Sequence, residues 1–305
     1  NPANMARTVA DVTVKVVKNE GKLVGKSVSG KLTDMDTYSV DEAFMQTFDS
    51  QYQATDNFVS RKIGSIDRTI TTKDAYFGPS AFIDLIHQLQ LDITGADVSF
   101  CAPLSFAAEI KEGDIYMSDM FNLYKYENML YVMSLSGQEI KDFLEMSYAI
   151  WTNQMKSSGD HLLLLNEKDN GFGYFRNPSF NFDSAAGIIY TVDVMKPQGE
   201  KITILSMADG TPFDLQKRYK VAVNSYRGNG GGDLLTKGAG IPKEELSKRI
   251  LSSTEKDLRY YLMQRIEEVK VLHPKPLNQW KFVPEEWTVP AAARDYRFLF
   301  ERNRN

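Results

Sequence analysis

The sequence is poor in the residues that most reaction chemistry requires. Of 305 residues, one is cysteine and three are histidine. A lone cysteine excludes an internal disulfide. The apolar setting of Cys101 in "ADVSFCAPL" predicts a buried, inert thiol. His87, His161 and His273 stand far apart, and neither HExxH nor CxxC occurs. A metal centre needs three or four convergent ligands, so none is expected in this chain, and His87 in "DLIHQLQL" is read as structural. There is no GxSxG elbow, and Ser225 has no nearby histidine to act as its base, so Ser225 is also read as structural. No apolar run reaches the roughly 18 residues of a membrane span. The net charge of −4 excludes the broad basic field of a bulk nucleic-acid binder. No signal peptide opens the chain, which begins "NPANM" without an initiator Met, as a mature or trimmed product would.

Aromatic residues are plentiful, with 15 Tyr, 17 Phe and 3 Trp. They suit a thick core and also flat ligands. "TVADVTVKVV" (8–17) alternates as a strand does, and "GKLVGKSVSGKLTDM" continues it as a hairpin with turns at Gly21 and Gly30. Ser39 and Glu42 form a capping-box pattern ahead of a long helix over 39–60. Phe44, Phe48 and Tyr52 lie on one face of that helix, a stripe expected to dock on a core. Beyond residue 61, helices are expected at 80–91, after Gly137, and over 243–250 and 254–270. Strands are expected at 96–104, 129–137, 187–194, 201–208 and 218–226. The Pro-rich tail 271–305 is expected to wrap the surface as irregular structure. Strands and helices do not strictly alternate, so the fold class is α+β, a mixed sheet packed with helices.

Two stretches hold candidate binding residues. "YKVAVNSYRGNGGGDLL" (219–235) runs a strand into Gly228, Gly230, Gly231 and Gly232. It fails the P-loop template, because Gly232 is followed by Asp233 and Leu234. It fails GxGxxG, because the third position falls on Asp233. What remains is either a tight turn or a close approach to a ligand, flanked by Tyr226, Arg227 and Asp233. In "LYKYENMLYVMSLSG" (123–137), Tyr126 and Asn128 precede a strand. Tyr126 either caps the edge of the core or offers a ring face, with an amide beside it that suits a nucleobase edge.

The order of these pieces is similar to that of a known family. "GDIYMSDMFNLYKYENMLYVMSLSGQEI", then "SFNFDSAAGIIYTVDV", then the glycine-rich loop after an aromatic, resembles the C-terminal domain of the 5′-nucleotidase family, metallophosphoesterases of nucleotides, cyclic nucleotides and UDP-sugars. The resemblance covers roughly 60–270. It implies that Tyr126 and Tyr226 sandwich a base across a gap of roughly 7 Å, from stacked-ring geometry. It also implies that Asn128 lies beside the base and that Gly230 and Gly231 give room for the ribose. Asp233 would accept the ribose hydroxyls, Gly232 being the other residue that fits that column.

Where the family often has N-G-G-G-I-R, this chain reads "APLSFA" (102–107), so the arginine column holds Ala107. Arg227 is the candidate replacement for the lost phosphate-gripping cation. Residues 1–38 resemble the end of the family's N-terminal metal-bearing domain, residues 39–60 the linker helix, and 61–270 the C-terminal domain. The resemblance therefore implies a substrate-binding half, with no catalytic residue of its own. Two divalent metal ions would belong to an N-terminal catalytic domain that acts as its partner. The ligand would be a nucleotide or nucleoside, and the location periplasmic or secreted.

Overall fold

A computed structural model describes residues 5–168 and 171–301. The first four residues of the 1–38 segment and the last four of the tail lie outside the described residues. The chain divides into two compact units between Phe58 and Val59.

In the first unit, β1 (Thr8–Asn19) and β2 (Lys22–Asp34) form a single long antiparallel hairpin. Its turn falls at Glu20 and Gly21, with φ of 49° and 80°. Gly30 is not a turn residue: it lies within β2 opposite Val12. The alternation pairs Val14 with Val28 and Ala10 with Leu32, and these side chains are exposed. α1 (Glu42–Val59) is capped by Asp41, whose carboxylate accepts from the Phe44 N–H at 3.0 Å. Ser39 lies two residues ahead of that cap, too early for the expected box. The stripe of Phe44, Phe48 and Tyr52 is exposed rather than docked on a core.

The second unit is built around a mixed sheet. Its elements, in chain order, begin with β3 (Lys62–Ile66), α2 (Ala81–Thr94), β4 (Val98–Cys101) and β5 (Gly113–Tyr116). Then come β6 (Met129–Ser136), α3 (Gly137–Trp151), β7 (Ser184–Ala186), β8 (Ile188–Asp193) and β9 (Ile202–Met207). β10 (Arg218–Asn224), the short α4 (Ser225–Gly228), β11 (Ile250–Asp257) and α5 (Leu258–Val269) follow, and β12 (Trp280–Val283) and α6 (Glu285–Phe300) close the series. The central order is β7-β4-β10-β6-β11, with β10 parallel to β4 and antiparallel to β6.

Period-2 alternation along β10 decides how the core is divided. Val221 and Val223 enter one cluster with Ile140, Phe143 and Tyr148 of α3. Ala222 points the other way, into a second cluster with Phe82 and Ile86 of α2 and Leu262 and Ile266 of α5. Helices thus cover both faces of the sheet. α3 starts sharply because Ser136 and Glu139 form a complete capping box. His87 is fully buried inside this unit. Ser99 gives its proton to Gln90 at 2.8 Å, so it accepts from His87 Nδ1 at 2.9 Å, and Nε2 is left to accept from Ser184. Burial pushes the His87 pKa down to about 3. The histidine is a neutral core residue, and Cys101 is buried as expected, where burial raises its thiol pKa.

In the second unit, three expectations change. Residues 254–257 extend β11, and Asp257 caps α5 by accepting from the Tyr260 N–H at 2.9 Å. The 243–250 segment yields a turn at Lys243–Glu245 and a four-residue helix, Leu246–Arg249. Among the described residues, the tail is irregular chiefly over 273–279. β12 pairs in parallel with β8, placing Trp280 beside Tyr190, and Trp280, Phe282, Ala291 and Leu299 join the core. Trp280 and Phe282 alternate with Lys281, a strand pattern that the surrounding prolines hid. Pro284 falls at the helix N-cap, where a missing N–H costs nothing.

Candidate nucleoside site

The sheet delivers the two candidate tyrosines to the same edge. β6 begins just after Tyr126 and Asn128, and β10 ends just before Tyr226. The strands run antiparallel, with Asn224 opposite Leu130. The loop entering one strand therefore meets the turn leaving the other. The result is a cavity of about 380 Å³ lined by Leu104, Tyr126, Glu127, Asn128, Phe180, Asn224 and Tyr226. Tyr126 and Tyr226 keep 42% and 44% of their surface exposed.

Local hydrogen bonding sets the polar groups. Asn224 caps α4, its side-chain oxygen accepting from the Arg227 N–H at 2.8 Å. That cap turns the chain at the strand end and throws Tyr226 outward. The Ser225 hydroxyl donates to the Asn128 side-chain oxygen at 3.5 Å, and the Asn128 side chain also lies against the buried Tyr124 phenol.

The glycines make room for the protein itself. A Cβ on Gly231 would stand 2.5 Å from the Tyr226 ring, so that residue is the seat against which the ring rests. Gly232, at φ 71°, leaves the space taken by the Arg227 guanidinium and the Asn181 amide. Arg227 is buried. It pairs with Asp183 at 2.5 Å, reaches the Phe180 carbonyl at 3.0 Å and Asn181 at 3.2 Å, and donates to the Gly231 carbonyl. It also lies 5.5 Å from the Tyr226 ring centroid. Where a phosphate-gripping Arg227 was expected, Nη1 and Nη2 of a buried guanidinium tie the glycine loop to residues 180–183, and Nε has no hydrogen-bond partner among the described residues.

Asp233 and Gly230 do not line the tyrosine cavity. They line another, of about 320 Å³, with Thr236 and Lys237. Asp233 accepts from Lys237 at 2.8 Å, and this hydrogen bond holds its carboxyl below the usual range. Phe180, Leu104 and Asn224 were not singled out in the sequence. Phe180 comes from a distant loop, with no local signal to place it. Asn224 does carry a signal, since Asn directly before a short helical turn is a cap pattern. Among the described residues, no three His, Cys, Asp or Glu side chains converge in a way that could hold a metal ion.

The sequence profile of the family described as "5′-nucleotidase, C-terminal domain" matches residues 60–237. The chain is 27% identical to the trifunctional nucleotide phosphoesterase YfkN of Bacillus subtilis, over 92% of this chain and 20% of that protein. It is 28% identical to a 2′,3′-cyclic-nucleotide 2′-phosphodiesterase/3′-nucleotidase of Salmonella typhimurium, over 60% of this chain and 28% of that one. A 5′-nucleotidase precursor from Thermus thermophilus shares the fold, with a TM-score of 0.60 at 18% identity, over 92% of this chain and 50% of that one. The chain thus spans less than a third of either curated relative.

Proposed function

Because the chain belongs to the 5′-nucleotidase C-terminal-domain family, we propose that its second unit binds the nucleoside part of a nucleotide, with the base stacked between Tyr126 and Tyr226. The observation that carries this reading is that Tyr126, Asn128 and Tyr226 line one cavity although a hundred residues separate the two rings. Asn128 offers its NH2 to the base edge. Asp233, which opens onto the cavity it shares with Thr236 and Lys237, is assigned to the ribose hydroxyls of a ligand that extends past Tyr226 from one cavity to the other. Hydrolysis belongs to a partner domain that supplies two divalent ions to activate water, N-terminal to the residues described above. A periplasmic or secreted setting is part of the same proposal. No helix among the described residues is long and apolar enough to cross a membrane.

Calorimetry with adenosine and uridine tests the clamp. Base–aromatic stacking is worth about 1–3 kcal/mol per base, so Tyr126→Ala and Tyr226→Ala should each weaken binding by roughly five-fold or more. Asp233→Asn should weaken nucleosides and leave free bases unaffected. Affinities indifferent to both tyrosine substitutions would remove the clamp. Robust hydrolysis of AMP by this chain with Mn²⁺ would contradict the division of labour.

A further inference from the structure

A hollow of about 860 Å³ lies beside the nucleoside cavity, and Leu104, Tyr126 and Phe180 form a wall common to both. Two kinds of group line the rest. Phe106 and Tyr174 present rings that are 43% and 40% exposed. Lys125, Lys168 and Arg176 supply cations, and among the described residues none of the three is in a salt bridge. Among the described residues no Asp or Glu lines the hollow, although the chain as a whole carries a net charge of −4. Two of the cations lie over one face of a ring: Lys125 Nζ is 5.6 Å from the Tyr126 centroid and Lys168 Nζ is 5.8 Å from that of Tyr174. Phe106 is held from behind by Phe175 and Phe300, at 5.5 and 5.0 Å. It is a fixed platform rather than a loose side chain.

Rings paired with cations that have no salt-bridge partner among the described residues are the chemistry of a nucleotide: the base stacks and the phosphate takes the charge. Size argues against phosphate alone. The hollow has more than twice the volume of the nucleoside cavity, and a lone phosphate would leave both rings bare. We propose that this hollow is a second nucleotide subsite and that the chain accepts a dinucleotide, two nucleosides joined through phosphate. The first base occupies the Tyr126–Tyr226 cavity, and the second stacks on Tyr174 and Phe106. Lys125, next to the shared wall, meets the joining phosphate, while Lys168 and Arg176 serve the outer nucleotide. Leu104 and Phe106 both come from "APLSFA", the stretch in which the chain departs from its family's pattern, so the departure supplies a wall and a ring in place of a cation. The assignment rests on the base clamp proposed above.

The test is calorimetry on the 305-residue chain without metal, in an adenine and a uracil series: nucleoside, nucleoside 3′-monophosphate and 3′→5′ dinucleoside monophosphate. The dinucleotide of the preferred series should bind about ten-fold more tightly than the monophosphate, one stacked base's worth. Tyr174→Ala should erase that gain and leave the monophosphate unchanged. Lys168→Ala with Arg176→Ala should weaken the dinucleotide and flatten its salt dependence. Equal affinity for dinucleotide and monophosphate, or a gain that survives these substitutions, overturns the subsite while the clamp stands. Absence of binding by every nucleoside in both series overturns the clamp and the subsite together.

Discussion

Gly231 acts on the site without a side chain. Because the Tyr226 ring rests where a Cβ would stand, Gly231→Ala must push that ring out of position. The ring is nearly half exposed and can swing into solvent, so the expected result is a nucleoside affinity as weak as that of Tyr226→Ala with little change in Tm. Unaltered affinity by calorimetry would show that the ring's seat does not matter. Asp84 gives a second, independent expectation. It is buried, accepts from the Leu277 N–H at 2.7 Å, and burial raises its pKa to about 6. Below its ordinary value near 3.8 the group is neutral in both folded and unfolded chains. Between pH 4 and 6 the unfolded chain loses the proton first, so stability falls as pH rises through that window. Asp84→Asn keeps the acceptor and cannot ionise. The variant should therefore gain about 2–3 kcal/mol on the parent between pH 4 and 6, read from urea unfolding at each pH. A constant difference across the window would mean that Asp84 is not the titrating group.

At the scale of elements, the glycine loop is a fastened piece of structure. Its anchor is the Arg227–Asp183 pair, with both side chains about 2% exposed. Removing one partner strands the other charge in a low-dielectric interior, which costs about 3–5 kcal/mol. Arg227→Ala should therefore lower Tm by several degrees and weaken nucleosides and nucleotides alike. A selective loss of nucleotides at unchanged Tm would return Arg227 to the phosphate. Little of this was legible in the sequence, since Asp183 lies far upstream and no local pattern links an arginine after a strand to an aspartate in another loop. β10 was legible because its alternating valines point to one core, and α3 because "LSGQEI" carries its own cap. β11 and α5 were misjoined: "TEKDLRYY" is a good helical composition throughout, and only the Asp257 cap marks where the helix begins. Each tyrosine is marked in the sequence only by its place beside a strand, and the family resemblance is what pairs them. Phe180, which completes the cavity, has no such mark.

At the scale of the whole molecule, the second unit does not close at the end of the matched family region. β12 and α6 put Trp280, Phe282 and Leu299 into the main core. Each such side chain contributes about 1.5–3 kcal/mol, and together they rival the roughly 5–15 kcal/mol that holds a domain folded. A chain ending at Leu277 should therefore lose its cooperative thermal transition, measured by circular dichroism. A truncated chain melting at the parental Tm would show those residues to be dispensable. The parallel pairing of β8 with β12 also has a bearing on how the protein is made. A ribosome releases Tyr190 and Trp151 well before the strand that shelters them exists. Until Trp280 emerges, the nascent chain holds a finished-looking sheet with an open aromatic flank, the kind of surface that chaperones and proteases compete for.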